Sequence, residues 1–368
     1  MPCENPVAAS TEAGKALTAE QFAAAMAHCL ARGAPWPGAV AVSGGGDSKA
    51  LMVLLAEWSA AAGQPPPVIL TVDHGLGPDS ARVARGVLKD ARCLGLKACK
   101  LVWEGPKPDA DIEAAARSAR YGLMGAWCVA HRVNALYVAH TLEDQAETFL
   151  LRLVRGSGLD GLAAMRLRAP FPLAGFDRLC LVRPLLATGR ESLRAMLLHR
   201  GESWVEDPMN SDPRFARVRV RLAWPALEGL GLTAGRVAAA AHHLERARAA
   251  LEDSTAEFLD AACRIKDDRI VLDGARLAEA APEIALRGLA HILLRVSGEA
   301  YRPRFERLER LYLAIRDDTL KAARTLHGCR IGRAPKSDAV FGPRSLLVTR
   351  ESARRPNRRG FAARGEIS

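Results

Sequence analysis

The sequence predicts an α/β protein: a doubly wound parallel sheet in the N-terminal part, then a helical domain and a small C-terminal β unit. Three observations carry that prediction. Short apolar runs such as Ala39-Val40-Ala41-Val42 and Val68-Ile69-Leu70-Thr71-Val72 alternate with helix-length segments, the pattern of parallel strands covered on both faces. The first run ends in a glycine loop, Ser43-Gly44-Gly45-Gly46-Asp47-Ser48, which leads into the helix-like run Ala50-Leu51-Met52-Val53-Leu54-Leu55. After Trp224-Pro225 strand-like runs vanish, and alanine and arginine dominate from Leu232 to Cys263, Glu283 to Val296 and Arg304 to Arg316.

Taken in order, Thr18 and Gln21 have capping-box spacing and open a helix to about Arg32, with Phe22, Met26 and Leu30 on one face. The first strand, the glycine loop and a helix from Asp47 to Ala62 follow, and the second strand ends at Asp73-His74. The alternation continues with a helix at Ser80 to Leu94, a strand at Ala98 to Trp103, a helix at Ile112 to His131 and a strand at Ala135 to Ala139. Thr141, with Asp144 at its capping-box position, opens a helix to Arg155. An arginine and proline stretch then leads to a short strand, Leu179 to Val182, and Thr188 with Glu191 is a further capping box for a helix ending near Gly201. Thr319 to Arg330 and Ser345 to Arg350 are expected to pair as the β unit, and the arginine-rich tail beyond Ser352 is expected to be disordered. The expected boundaries are 1–225 for the α/β domain, 226–318 for the helical domain, 319–352 for the β unit and 353–368 for the tail.

At 368 residues and 49% hydrophobic, the chain holds two or three domains with cores of their own. No apolar stretch reaches the roughly 18 to 20 residues that span a bilayer, and the N-terminus lacks the order of a secretory signal, so no membrane association and a cytoplasmic location are expected. Eight scattered cysteines with no C-x-x-C pair argue for reduced thiols and against a zinc site or an iron–sulfur cluster. A net charge of +11 points toward a polyanionic partner, although a chain rich in Ala, Arg and Gly also owes arginines to genomic base composition.

The glycine loop reads as a phosphate cradle. Its glycines permit positive φ and close approach to a ligand, and the helix that follows points unpaired N–H groups and its positive dipole end into the loop. It is not a Walker A sequence, because Lys49 follows the serine instead of preceding it. Asp47 repels a phosphate unless a divalent cation lies between them, which implies Mg²⁺ on Asp47. In a doubly wound sheet ligands bind beyond the carboxyl ends of the strands, so Ser43, Asp73 and His140, each directly after an expected strand, share one crevice.

The form S-G-G-x-D-S resembles the PP-loop of the ATP pyrophosphatase superfamily, which has the adenine nucleotide alpha hydrolase-like fold and cleaves ATP to AMP and pyrophosphate. Four further blocks follow in order: Val72-Asp73-His74-Gly75-Leu76, Ala116-Arg117-Ser118-Ala119-Arg120-Tyr121, His140 to Thr148, and Glu206-Asp207-Pro208-Met209-Asn210 with Arg217-Val218-Arg219-Val220-Arg221. Together with the loop they resemble the tRNA(Ile)-lysidine synthetases over roughly residues 38 to 225. The resemblance implies an ATP-dependent enzyme that adenylates the C2 oxygen of the wobble cytidine in a CAU-anticodon isoleucine tRNA. The ε-amine of free lysine then displaces AMP. One departure is visible: the family's R-N-R-x-R block has Val218 in place of the asparagine.

On that reading Ser43, Gly44, Gly45, Gly46, Asp47, Ser48, Asp73 and His74 bind ATP, with the Asp73 carboxylate accepting from ribose hydroxyls. Asp47, Arg117, His140 and Asp144 serve catalysis. Alternatives stand beside several of these. Arg117 also fits a surface pair with Glu113, Asp73 a loop cap, and Asp144 a simple cap partner of Thr141. The attacking amine needs a carboxylate to bind its cation and take its proton, and Glu147 and Asp207 are both candidates. Arg214, Arg217, Arg219 and Arg221 are candidates for tRNA or substrate contact; the last three share one face if extended and spread if helical. Arg302, Arg304, Arg307 and Arg310 are candidates for the tRNA backbone. A homodimer is left open. Three rivals remain: a tRNA cytidine 2-thiolation enzyme, which needs cysteine pairs absent here; an amidotransferase relative, for which no glutaminase segment is apparent; and a non-catalytic ATP-binding regulatory module joined to a nucleic-acid-binding domain.

Overall fold

In the computed structural model the described residues are 15–105, 107, 112–206, 212–266, 268–299 and 301–351. The chain divides into two units, Met1–Arg246 and Ala247–Ser368. Asp207 to Asn210, Cys3 and the basic tail lie outside the described residues, as does the side chain of Glu113.

The first unit opens with α1 (Ala19–Ala31), whose capping box is formed as expected: Thr18 Oγ1 accepts the Gln21 N–H and the Gln21 side chain accepts the Thr18 N–H. In chain order come β1 (Ala39–Ala41), α2 (Gly46–Ala61), β2 (Val68–Asp73), α3 (Ser80–Cys93), β3 (Lys97–Val102), α4 (Ile112–Ala130), β4 (Ala135–Tyr137) and α5 (Leu142–Val154). They are followed by α6 (Leu159–Leu162), β5 (Arg168–Pro170), β6 (Cys180–Val182), α7 (Arg190–His199) and α8 (Ala216–Gly229), and α9 (Ala234–Ala262) leads into the second unit. The sheet order is β3-β2-β1-β4-β6-β5, with every pair parallel except β5 with β6. The chain steps outward from β1 to β2 and β3, then crosses back to place β4 on the other side of β1. That reversal makes the carboxyl ends of β1 and β4 the switch point, where a crevice forms.

Alternation along each strand divides the core between two faces. Val40, Ile69, Tyr137 and Val182 join α1, α2, α3 and α7 on one face, while Ala39, Leu70, Leu136 and Leu181 join Met124 and Cys128 of α4 on the other. Helix α2 is buried almost all round, with Leu51, Met52, Leu54 and Leu55 at most 1% exposed. Each such side chain contributes about 1.5–3 kcal/mol by burial, so the helix that follows the glycine loop is firmly anchored.

Two local expectations change. Thr188 and Glu191 do not form a capping box: α7 has Gly189 at its N-cap with no side-chain cap of its own, and the Glu143 carboxylate accepts the Arg190 backbone N–H instead (3.1 Å to each oxygen). Trp224-Pro225, where the composition changes, lies inside α8. The arginine and proline stretch contains a strand, β5, that pairs antiparallel with β6 and closes the edge of the sheet.

The second unit is a five-stranded antiparallel sheet, β7-β8-β11-β10-β9, with helices against it. Its strands are β7 (Cys263–Lys266), β8 (Arg269–Asp273), β9 (Arg324–Leu326), β10 (Cys329–Arg333) and β11 (Ser345–Arg350); its helices are α10 (Gly274–Glu279), α11 (Pro282–Ser297) and α12 (Phe305–Arg316). Ser345–Arg350 pairs with β10, which overlaps the expected partner segment Thr319 to Arg330 only at Cys329 and Arg330; β9, inside that segment, pairs with β10 instead, and residues 263–273, read as free of strands, add two more. Ile270 and Leu272 face a core with Leu289, Leu293, Ile331 and Val348, and this packing outweighs the helical character of the flanking residues.

Candidate active site

The loop after β1 has the geometry of an anion cradle. Gly44 has φ +91°, and a Cβ there would lie 2.5 Å from Val83 Cγ1, so only glycine fits. Lys49 N–H is the first amide of α2 to bond back into the loop, to the Gly45 carbonyl (3.0 Å), and Gly45 supplies no side-chain cap. The N–H groups of Gly46, Asp47 and Ser48 therefore remain without intrahelical partners at the positive end of the helix. The loop holds its own shape: Ser43 N–H donates to Ser48 Oγ (3.2 Å), and that hydroxyl donates to the Gly45 carbonyl (2.9 Å).

Residues 202–206 lie against the loop. Val205 N–H donates to the Gly44 carbonyl (3.1 Å), and the Trp204 ring leaves a Cβ on Gly46 only 3.3 Å of room. Lys49 points away from the phosphate side. Its buried ammonium reaches Asp90 and Glu202 (2.8 Å each), and although burial opposes its charge, these carboxylates hold its pKa above the usual lysine value. It ties α3 and residues 202–203 to α2.

Across the crevice stands a group of six charges around Arg190, at the start of α7. Its guanidinium meets Asp47 Oδ2 from α2 (3.2 Å), and Asp144 Oδ1 (2.8 Å) and Glu147 Oε1 (3.0 Å) from α5. Arg217 and Arg221 of α8 complete the group, Arg217 on Asp144 (3.1 Å) and Arg221 on Glu147 (2.7 Å). Three guanidinium groups balance three carboxylates, so no net charge is buried. Asp144 does two jobs at once: Oδ2 accepts the Thr141 N–H (2.9 Å) as the capping box predicts, while Oδ1 faces the arginines. Burial raises the Asp144 carboxyl, but Arg190, the Thr141 N–H, His140 and Arg217 together hold it below its ordinary value. Asp47 shifts the other way: burial pushes it up, with Asp144 and Glu143 adding repulsion that Arg190 does not fully offset.

His140, just beyond β4, has its Nδ1 3.1 Å from Arg183 Nε. Burial, then the Arg183 cation, lowers its pKa to about 4, so the ring is neutral at pH 7. Arg117 of α4 sits with its guanidinium 5.0 Å from the centre of the Tyr121 ring and adds positive potential at His140. Asp73 and His74 stand at the end of β2 in contacts of their own: Ser80 Oγ donates to Asp73 (2.7 Å), and His74 Nδ1 accepts the Leu76 N–H (3.1 Å).

The four candidate arginines divide because α8 is a helix. Arg217 and Arg221, four apart, face α5, whereas Arg219 turns to the carbonyls of Pro213 and Arg214, and the exposed Arg214 pairs with Asp212. Val218, in place of the family's asparagine, is buried at 5% exposure. Sequence reasoning passed over Arg190, Arg183, Glu143 and Lys49. Nothing local marks Arg190, which follows a glycine in an arginine-rich chain; only the packing of α7 beside α2 and α5 gives it meaning.

A glycine loop with a free helix end, set at the switch point of a parallel sheet and flanked by buried charges, defines a nucleotide-binding α/β protein of the PP-loop class. Residues 19–225 match the PP-loop domain family ATP_bind_3. A tRNA(Ile)-lysidine synthase from Methylobacterium nodulans is 42% identical over 305 residues, covering 81% of this chain and 87% of that protein. One from Methylobacterium sp. strain 4-46 is 38% identical over 339 residues, covering 89% and 95%, and one from Ruegeria pomeroyi is 40% identical over 292 residues, covering 79% and 68%. The chain belongs to the tRNA(Ile)-lysidine synthase family. Among solved structures, the U34-tRNA thiolase NcsA from Methanococcus maripaludis shares the fold, with a TM-score of 0.50 at 15% identity over 62% of this chain and 79% of that one.

Proposed function

We propose that this protein joins free lysine to C2 of the wobble cytidine of CAU-anticodon isoleucine tRNA, consuming ATP and releasing AMP and pyrophosphate. The observation that carries the reading is Asp47, which links the uncapped loop to the Arg190 cluster. A pyrophosphate-releasing site thereby adjoins carboxylates suited to a cationic amine.

In the first step the cytidine O2 attacks the α-phosphorus of ATP, and the bond to the bridging oxygen of the pyrophosphate breaks. The free N–H groups of Gly46, Asp47 and Ser48 hold the departing charge, and Arg117 supports the α-phosphate from α4. Among the described residues no three His, Cys, Asp or Glu side chains group to hold a metal. Mg²⁺ needs no such cage, since one carboxylate with phosphate oxygens and water suffices, and Asp47 supplies that carboxylate with its Oδ2 on Arg190. When bound, Mg²⁺ neutralises charge on the leaving pyrophosphate. Asp73, at the neighbouring strand end, accepts from the ribose.

In the second step the lysine ε-amine attacks C2, the C2–O2 bond breaks, and AMP leaves. The free amine is protonated at pH 7, its pKa being about 10.4. Asp144 and Glu147 attract that cation, and Glu147 takes a proton from it, freeing the lone pair that then forms the C–N bond. Of the two candidates for this task, Glu147 belongs to the cluster and Asp207 lies outside the described residues. Acting on tRNA, the enzyme works in the cytoplasm.

Purified protein given ATP, Mg²⁺, labelled lysine and the CAU-anticodon isoleucine tRNA is expected to transfer label to the tRNA. ATP bound with no label in RNA would overturn the reading in favour of a regulatory module. In the same assay Asp47→Ala is expected to stop AMP formation while tRNA binding persists.

A further inference from the structure

We infer that Arg183 is a positioning residue that fixes His140 as the neutral Nε2–H tautomer, so that His140 serves lysidine formation as a hydrogen-bond donor and not as a proton carrier. The argument begins with what each group is able to do. A guanidinium has donors only and stays protonated throughout the working range. Arg183 Nε lies 3.1 Å from His140 Nδ1, so that ring nitrogen must present its lone pair. A neutral imidazole with an accepting Nδ1 carries its proton on Nε2. An imidazolium would instead place an N–H against an N–H across the same contact.

The arginine is held where this geometry requires. Its Nη1 donates to the Arg166 carbonyl (2.8 Å) and its backbone N–H to the Leu167 carbonyl (2.9 Å), so strand β6 and the segment before β5 clamp it at both ends. The side chain is buried, the residue being 8% exposed, and no carboxylate pairs with it among the described residues. Burial and its cationic neighbours Arg117 and Arg152 lower its pKa, which is the mark of a charge kept in place without a counter-ion. The charged groups facing His140 are Arg183 beyond β6, Arg117 of α4, Asp144 of α5 and Arg217 of α8. Three cations oppose protonation and one carboxylate favours it, in agreement with the hydrogen-bond geometry.

Nε2, on the far side of the ring, has no hydrogen-bond partner among the described residues. Its N–H is available to an oxygen that gains charge in the crevice, either the cytidine O2 or an α-phosphate oxygen. A fixed donor there stabilises charge without having to reorganise or exchange a proton.

The kinetic part of the test rests on the lysidine reading, and the spectroscopic part does not. Proton–nitrogen correlation spectra of the nucleotide-free full chain with labelled histidine, assigned against His140→Gln, are expected to show Nε2 protonated and Nδ1 bare. That state is expected to persist between about pH 5 and 8, where an ordinary histidine titrates. In Arg183→Met, which removes the donor and keeps bulk, His140 is expected to mix tautomers and to titrate within that range. Lysidine formation is expected to fall on the order of 10–100-fold, the range seen when the partner that orients a metal-bound histidine is lost, and to gain an acid limb. Arg183→Lys, which still donates, is expected to restore the tautomer. An Nδ1–H ring or ordinary titration in the wild type would overturn the inference, and so would an unchanged tautomer in a folded Arg183→Met. If that variant does not fold, the wild-type spectrum decides. An Nε2–H ring in a protein that makes no lysidine would refute the proposed function and leave the tautomer assignment standing.

Discussion

Arg190 sets the electrostatics of the crevice because one guanidinium serves Asp47, Asp144 and Glu147 from two helices. Removing it leaves three carboxylates with two cations in a partly buried space, the costly way to break such a group. Arg190→Met is therefore expected to lose about 3 kcal/mol in denaturant unfolding, the lower end of the range for breaking a buried pair. Arg190→Lys recovers only part of it, since an ammonium lacks the planar fork that reaches three partners. His140 adds a pH dependence whose sign follows from its lowered pKa. Between pH 6.5 and about 4 the unfolded chain binds a proton that the native ring refuses. Stability is expected to be full above pH 6.5 and to fall as pH drops through this window, with a shallower fall in His140→Gln, as measured by unfolding at a series of pH values.

At the scale of elements, the N-terminus of α2 is the proposed phosphate site, and the glycine before it decides whether it is presented correctly. Gly44→Ala places a methyl at φ +91° and against Val83, a strain of order 1–3 kcal/mol that shifts the loop. Weaker ATP binding is expected, read by calorimetric titration. Gly86 offers the contrast. It lies within α3 with open space around a built Cβ, so Gly86→Ala is expected to stabilise the protein by about 0.5–1 kcal/mol with ATP affinity unchanged. Helix α7 shows how elements share caps: Glu143 of α5 satisfies the first amide of α7 and thereby seats Arg190. A cap taken from another helix is invisible to a search for local spacing, which is why Thr188 and Glu191 misled.

For the molecule as a whole, the net charge of +11 fits a polyanionic substrate. Binding of single-stranded RNA releases about 0.7 counterion per phosphate neutralised, so four contacts imply a loss of roughly 50-fold in tRNA affinity between 50 and 200 mM salt. Filter binding across that range checks this, and ATP affinity, set by a few groups in a recessed site, is expected to change less. In the second unit Arg302, Arg304, Arg307 and Arg310 remain the proposed backbone contacts, and replacing two of them with Ala is expected to reduce the salt slope by about 1.4.

The sequence by itself determined the parallel sheet, the glycine loop and the capping boxes at Thr18 and Thr141, because each depends on neighbours within a few residues: apolar runs, permitted φ values, side chain to amide three positions on. It also exposed the family through blocks in order, and it picked out as candidates Asp47, Asp144, Arg217 and Arg221, which the structure brings into one charge cluster. Tertiary structure alone decided the rest. Arg190 and Asp47 are 143 positions apart, and Arg183 and His140 are 43 apart. Strands β7 and β8 form because Ile270 and Leu272 find Leu289 and Ile331, not because of their own surroundings in the chain. Electrostatic partners act through space over a few ångströms, and which charges come that close is fixed by how helices pack, a quantity that no local pattern of residues encodes.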